Sequence, residues 1–273
     1  MKKTSILFKI TFSSILLAIA VILSRFLSIP LYSVGLPFIK ISLTSSVVMF
    51  GSFYLGPLYG LVIGAGQDFL GALIFPQGGA YNPLFTISAA LCGLLPYYFY
   101  RLIDLTKIEH KYPFVLGLIL ALISSYLTYF MFSRDSIIYL GHEYQFYLWV
   151  KILFTSFSWV LSILYIILVI VLKDKFKKLD VMKFYYIGTI GTAIFLTYLV
   201  RVPVSTTVFC IYLNNDFSLF SIIFGCRLLT SFILGFIDII MIVIGLNVSL
   251  KFKYKGALIP KSELLKEWFY AWR

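Results

Sequence analysis

Residues 51–75 read GSFYLGPLYGLVIGAGQDFLGALIF, an apolar run interrupted by glycines and by one amide–carboxylate pair. The run is too long for a barrel strand, which alternates over about ten residues. Gly56, Gly60 and Gly64 recur every four residues, a spacing that lets helices approach closely. Asp68 continues this stripe, and an ionisable side chain inside a membrane needs a partner or a wet cavity. The stretch predicts closely packed membrane helices that carry one important carboxylate.

The whole chain has the composition of a membrane protein. Of its 273 residues, 61% are hydrophobic and only 12% charged, with a mean hydropathy of +0.98. Soluble domains carry about 25% charged residues, so this chain could not cover its surface in water. Its three cysteines, Cys92, Cys210 and Cys226, lie in apolar runs and indicate no disulfide framework. We predict an all-α polytopic transmembrane bundle that forms a single integral membrane domain over 1–273.

The apolar runs predict about eight membrane-spanning helices. The pair Gly56-Pro57 is a turn signal that separates a short second helix from the third. The predicted spans are 5–29, 41–55, 57–75, 84–103, 113–132, 147–172, 184–213 and 218–250.

The net charge of +12 is explained by its distribution along the chain. With a cytoplasmic N-terminus, 17 of the 23 basic residues fall in cytoplasmic segments, as the positive-inside rule requires. These segments are 1–10, 101–112, 173–183 and 251–273. We therefore predict a multi-pass cell-membrane protein with both termini cytoplasmic and loops 76–83 and 133–146 outside. The charge indicates membrane topology, so no nucleic-acid partner is expected.

Signatures of enzymes and of metal sites are missing from the sequence. It has no G-x-S-x-G, P-loop or C-x-x-C motif, and both histidines, His110 and His142, fall in predicted loops. We predict no catalytic residue, no metal and no cofactor.

Charged residues inside or near the ends of the spans allow two interpretations. In the first they form structural ion pairs, Asp68 with Arg25 or Arg227, and Asp238 with Arg201. In the second the basic residues of the outer half exceed what Asp68 can neutralise, which leaves a cationic pocket for an anionic ligand. The residues concerned are Arg25, Asp68, Lys151, Arg201, Arg227 and Asp238.

The outer loop PQGGAYNP (76–83) and the following LFT (84–86) combine polar and aromatic side chains. The segment is either an ordinary connection between helices or, together with Arg25, Lys40 and Asp68, the mouth of a small-molecule site. Its candidate contact residues are Gln77, Tyr81, Asn82, Phe85 and Thr86.

Five blocks of the chain resemble the substrate-binding (S) components of energy-coupling-factor vitamin transporters, specifically the folate type. Their order and spacing match over residues 10–101, and GCRLL (225–229) resembles the arginine-bearing start of that family's last helix. The blocks are SRFLSIP (24–30), GLPFIKIS (35–42), FYLGPLYG (53–60), GQDFLGALIFP (66–76) and GGAYNPLFTISAALCG (78–93).

The resemblance implies a six-helix core that captures a vitamin outside the cell. It also implies association with a transmembrane coupling subunit and two cytoplasmic ATPases, and toppling in the lipid membrane to release the vitamin. Helix 1 would face the coupling subunit through the small residues Ser14 and Ala18.

A folate-like ligand fits the chemistry of the candidate residues. Two glutamate carboxylates suit Arg25, Lys40 or Arg227, and a flat pterin could stack on Tyr81 or Phe85 and offer N–H groups to Asp68 or Gln67. The expected binding residues are Arg25, Lys40, Gln67, Asp68, Tyr81, Asn82, Phe85, Thr86 and Arg227.

The chain departs from the family in having about eight spans where six are usual. We expect a family-like part over 1–103, a C-terminal hairpin near 184–250 and a cytoplasmic tail over 251–273. The hairpin near 113–172 is then either a duplicate of the final hairpin or an insertion. The alternatives from other classes are an intramembrane enzyme or lipid-modifying protein using Asp68, Arg201 and Asp238, and an accessory membrane-assembly protein.

Overall fold

The fold is a bundle of helices with two short β-hairpins. The computed structural model describes residues 6–33, 36–76, 81–105, 112–133, 136–139, 142–145, 147–175, 181–212 and 220–253. In this part of the chain the helices are α1 (Ile6–Arg25), α2 (Thr44–Leu55), α3 (Pro57–Ile74), α4 (Pro83–Leu105), α5 (Tyr112–Phe132), α6 (Leu148–Lys175), α7 (Val181–Tyr212) and α8 (Phe220–Lys253).

Six of these eight helices are long and apolar enough to cross a membrane. The other two, α2 and α6, have shorter apolar stretches, Thr44–Leu55 and Lys151–Ile167. The predicted all-α polytopic bundle is confirmed. Since α2 covers only about 18 Å of a hydrocarbon layer of about 30 Å, it cannot cross the membrane by itself.

The helix boundaries follow from turn-forming residues. Gly56 has a φ of 106°, a conformation that favours glycine, and Pro57 then supplies the first residue of α3. The Asn82 side chain accepts a hydrogen bond from the Leu84 N–H at 3.0 Å, just ahead of Pro83 at the start of α4. The break after Gly56 predicted from the sequence is therefore confirmed.

The region between α1 and α2 differs from the predicted spans. Helix α1 ends at Arg25, before the predicted end at residue 29, and Ile29 begins strand β1 (Ile29–Ser33), which pairs antiparallel with β2 (Leu36–Ile41). The physical reason is Pro30, because the residue before a proline is driven away from helical conformation. Strand β2 also contacts α8, so the hairpin lies against the bundle. A second hairpin, β3 (Ser136–Tyr139) with β4 (His142–Gln145), joins α5 to α6.

The glycine stripe of α3 packs directly on α4. A Cβ built on Gly60 would collide with the backbone oxygen of Gly93, and one built on Gly64 would collide with that of Ala89. The close approach predicted from the four-residue spacing is confirmed, and it fixes α3 and α4 against each other.

The first four helices are completed by the last two. Helix α4 packs extensively on α7, and α2 packs on α8. Helices α5 and α6 pack on each other, and α5 reaches the bundle through α7 and α8. The buried core thus draws residues from α1–α5, α7 and α8, whereas α6 packs on α5.

Candidate ligand-binding site

The best-defined charged contact joins the end of α1 to α3. The Arg25 Nη2 lies 4.0 Å from Asp68 Oδ1, and the two side chains are 10% and 24% exposed. Arg25 also donates to the backbone oxygens of Asp68 and Phe75, each at 3.3 Å. Of the two predicted partners for Asp68, Arg25 and Arg227, the structure selects Arg25.

A chain of hydroxyl groups extends from the same carboxylate to α4. The Thr86 hydroxyl donates to Asp68 Oδ2 at 2.8 Å and lies 2.8 Å from the Tyr81 hydroxyl. The exposed Tyr81 ring makes an edge contact with Phe69, with ring centroids 5.6 Å apart. The structure therefore brings together Arg25, Asp68, Thr86 and Tyr81 from three different segments.

Lys40 adds a second cation to this cluster from strand β2. Its half-buried ammonium group interacts electrostatically with both Arg25 and Asp68. Burial, followed by the positive charge of Arg25, outweighs the attraction of Asp68 and lowers the pKa of Lys40 from 10.5 to about 8. The lysine thus titrates close to physiological pH.

The other predicted residues of this region have more varied surroundings. Asn82 caps α4 through its side-chain oxygen. Phe85 packs, together with Phe220, against a small apolar cluster of Phe209, Cys210 and Ile223. Gln67 is buried on α3, on the face that carries the packed glycines. Gln77, and with it Gly78 and Gly79, lies outside the described residues.

Arg227 lies across the α7–α8 interface. Its guanidinium donates to the Ser205 backbone oxygen at 2.5 Å and stands over the Phe209 ring, 4.9 Å from the centroid. It also interacts electrostatically with Arg201 rather than with Asp68. Arg227 therefore borders the cluster from α8, on the side where Phe85 packs.

The second buried acid, Asp238, is satisfied by hydroxyl groups. Its fully buried carboxylate accepts hydrogen bonds from Ser45, Ser46 and Tyr198. The expected ion pair with Arg201 is wrong in its direct form, because hydroxyl donors from α2 and α7 occupy the carboxylate oxygens. These donors offset much of the cost of burying an acid.

Arg201 links the two acids and was not expected to contribute to the site. Its guanidinium interacts electrostatically with both Asp68 and Asp238, and its Nη1 donates to the Cys92 sulfur at 3.4 Å. The signal in the sequence was the spacing of Tyr198 and Arg201, which puts them on one face of α7. Only the packing of α7 on α4 and α8 reveals the shared surroundings.

The cluster gathers charged side chains from five segments of the chain. In the part of the chain that the structure describes these are Arg25, Lys40, Arg201 and Arg227 with Asp68 and Asp238. Within a membrane, ionisable side chains gathered in this way mark a candidate ligand site. No group of three or more metal-ligating side chains occurs among the described residues.

Comparisons with known proteins place the chain among vitamin transporters. The family model described as "ECF-type riboflavin transporter, S component" matches residues 5–177, more than half of the chain. A curated relative, the folate transporter FolT of Clostridium novyi (strain NT), is 37% identical over 91 residues, which are 33% of this chain and 46% of the relative. The chain thus aligns with about half the length of that relative. No solved structure matches the chain.

Proposed function

Because the chain belongs to the ECF transporter S components, we propose that it captures an anionic vitamin for import, and that this vitamin is folate. The observation that carries the choice is the convergence of the Arg25 and Lys40 side chains beside Asp68. Folate bears two carboxylates on its glutamate tail, which suit these two cations through charge-assisted hydrogen bonds. Riboflavin, the vitamin in the description of the family model, carries no such charge.

The proposed binding mode uses the residues at the end of the bundle that the β1–β2 hairpin borders. Arg25 and Lys40 bind the carboxylates, with Arg227 bordering them from α8. Asp68 orients Arg25, and Thr86 holds the other oxygen of Asp68. Tyr81, exposed just before α4, offers a ring face to the aromatic part of the ligand. Asn82 and Phe85 form the edge of the site, and Gln67 supports the site from α3.

The test is a thermal-stability screen of the purified protein in detergent against water-soluble vitamins. Folate should raise the melting temperature, because a ligand that binds only the folded state stabilises it. Riboflavin at the same concentration serves as the uncharged comparison. Stabilisation by riboflavin alone would reject folate, and stabilisation by neither would reject vitamin capture.

We further propose that α1 is the surface that binds a transmembrane coupling subunit. Through this subunit two cytoplasmic ATPases would supply the energy for uptake. Ser14 and Ala18 are exposed one turn apart on α1. Small side chains at this spacing let a partner helix approach closely. Both lie about two to three turns along α1 from Arg25, so coupling and binding use different parts of the helix.

The proposed orientation has both termini in the cytoplasm and the vitamin site at the outer side. It rests on the 17 basic residues in the predicted cytoplasmic segments. In this arrangement α1 ends at the outer surface with Arg25, and the β1–β2 hairpin covers the outer end of the bundle. The chain then acts as one integral membrane domain, with α5–α6 as an addition to the six-helix core.

A further inference from the structure

Arg201 occupies the centre of the bundle, where four helices meet. It lies on α7, and its electrostatic partners lie on α3 (Asp68), α4 (Cys92) and α8 (Asp238). The nearest end of α7 is Tyr212, 11 residues away, which corresponds to about 16 Å of helix. Arg201 therefore lies well inside α7, away from both of its ends.

The hydrogen bonding of Arg201 leaves donors available. A guanidinium has five N–H donors, and in the described part of the chain its one hydrogen bond goes to the Cys92 sulfur, a weak acceptor. Its other nitrogen atoms are not among the buried polar atoms that lack a partner, so they reach accessible space. The side chain is accordingly only half-buried. Arg201 therefore has N–H groups that no acceptor in the described part of the chain occupies.

Two helices with internal prolines flank the same point. Pro96 lies inside α4 and Pro203 inside α7, and proline has no backbone N–H to donate. The backbone oxygens four residues earlier, those of Cys92 and Leu199, therefore cannot receive the usual helical hydrogen bond. In a membrane such freed backbone groups are tolerated where protein or water satisfies them.

We propose that Arg201 binds the ring of the vitamin, donating two parallel hydrogen bonds to a carbonyl oxygen and the neighbouring ring nitrogen of a pteridine. This inference rests on the proposed function and adds a contact from α7 to it. The acceptor pair in question is the 4-oxo group and N5 of folate. Arginine reads the same pattern in guanine, where O6 and N7 are adjacent acceptors on one edge. The tail carboxylates then lie toward Arg25 and Lys40.

The neighbouring acids explain why Arg201 alone can bind an uncharged ring. Asp238 is held by three hydroxyl donors and Asp68 by Arg25 and Thr86, so both carboxylates are already fixed. They supply negative charge near Arg201 without occupying its donors. A neutral ring with two acceptors can therefore bind the guanidinium without leaving a charge uncompensated.

Aminopterin tests the contact because it replaces the 4-oxo acceptor of folate with an amino donor and keeps the same tail. Affinities of both compounds are measured for the purified full-length protein and for R201Q, R201K and R25A. R101Q, at the exposed Arg101 of α4, is the matched control. The wild type should prefer folate by about 10-fold or more, the cost of losing a charge-assisted hydrogen bond.

The preference for folate over aminopterin should disappear in R201Q. R201K should lose most of it, because lysine lacks the planar fork. R25A should weaken both compounds by the same factor and keep their ratio, and R101Q should change neither. An unchanged ratio in R201Q would overturn the proposal, as would equal wild-type affinity for the two compounds, a measurement that needs no variant to fold.

Other ligand outcomes separate this inference from the proposed function. A wild type that binds riboflavin and not folate rejects folate as the ligand. The isoalloxazine ring has the same carbonyl–nitrogen edge, so R201Q should then lose riboflavin affinity by about 10-fold or more, and unchanged affinity would overturn the contact. A wild type that binds neither vitamin overturns both proposals.

Discussion

Gly71 lies directly beneath the guanidinium of Arg25, and a Cβ built on this glycine would collide with the Arg25 Nε. Arg25 therefore reaches Asp68 by crossing α3 at a position that has no side chain. The glycine thus makes room for the Arg25–Asp68 contact although it has no functional group.

The substitution G71A should displace the guanidinium and weaken folate binding by about 10-fold, since a charge-assisted contact loses its geometry. G66A is the matched control on α3, because its methyl group would meet the Leu17 side chain at 3.0 Å, away from the charges. Isothermal titration calorimetry on both purified variants gives the comparison. Equal affinity of G71A and the wild type would show that the position of Arg25 is unimportant.

Removal of the Arg25 charge should be more severe than its displacement. We expect R25A to lose about 10- to 150-fold in folate affinity while still inserting into the membrane. R25K should recover only part of this loss, because lysine lacks the fork that matches a carboxylate. If R25A instead fails to fold and D68N rescues it, the Arg25–Asp68 pair is structural and the ligand contact is wrong.

Folate affinity should fall as the pH rises through about 8. The pKa of Lys40 is lowered to about 8, so the ammonium group is present at pH 7 and largely lost at pH 9. Above pH 8 an anionic ligand can contact the Lys40 ammonium group only if Lys40 takes up a proton on binding. This requirement lowers the affinity by up to about tenfold per pH unit. Calorimetric titrations from pH 6.5 to 9.5 measure the profile.

K40M is the control for this pH dependence, because titration of the ligand itself affects both proteins equally. K40M should bind folate more weakly than the wild type at pH 7. Its folate affinity should also lack the fall near pH 8 that the loss of the Lys40 charge causes. The unliganded wild type should show the opposite trend in stability. Since the folded chain releases the Lys40 proton before the unfolded chain does, its free energy of unfolding should rise between pH 8 and 10.5. Identical profiles for K40M and the wild type would exclude Lys40.

Coupling should be separable from binding on α1. A18W introduces a bulky ring on the exposed face, which should block close approach of a coupling helix and abolish uptake by cells. Vitamin binding to the purified variant should stay within about twofold of the wild type, because single surface substitutions usually change little. Lost binding with normal membrane assembly would place the interface elsewhere.

The orientation is open to cysteine labelling with an impermeant reagent in a variant without native cysteines. A cysteine at Gly79 should react from outside the cell, and one at Lys177 should not, as the distribution of basic residues requires. Both positions lie outside the described residues, so the result is independent of the structure. The reverse pattern would put the charged cluster on the cytoplasmic side and reject capture from outside.

The sequence alone determined the class of protein and the positions of its helices. Few charges and long apolar runs leave helices as the only way to satisfy backbone groups in lipid. The glycine spacing in α3 predicted its close contact with α4, because the absence of a Cβ acts locally. The five blocks over residues 10–101 were specific enough to identify the family, which the family match confirms.

Tertiary structure decided which charged side chains meet. From the sequence, either Arg25 or Arg227 could pair with Asp68, since either cation would neutralise a single carboxylate. Arg201 and Asp238 have opposite charge, yet the hydrogen bonds to the Asp238 carboxylate come from the hydroxyl groups of Ser46 and Tyr198. Such choices depend on helix rotation and depth, which no local pattern encodes.

Packing also decided how each hairpin joins the core. The sequence indicated the hairpin near 113–172 as the additional pair and left open whether it is a duplicate or an insertion. The structure puts α7 against α4 and α8 against α2, and it packs α5 against α7 and α8. Lipid solvates any apolar helix equally well, so the position of a helix in the bundle depends on how its side chains fit those of other helices. That fit is a property of the folded chain, whereas the helices themselves are a property of the sequence.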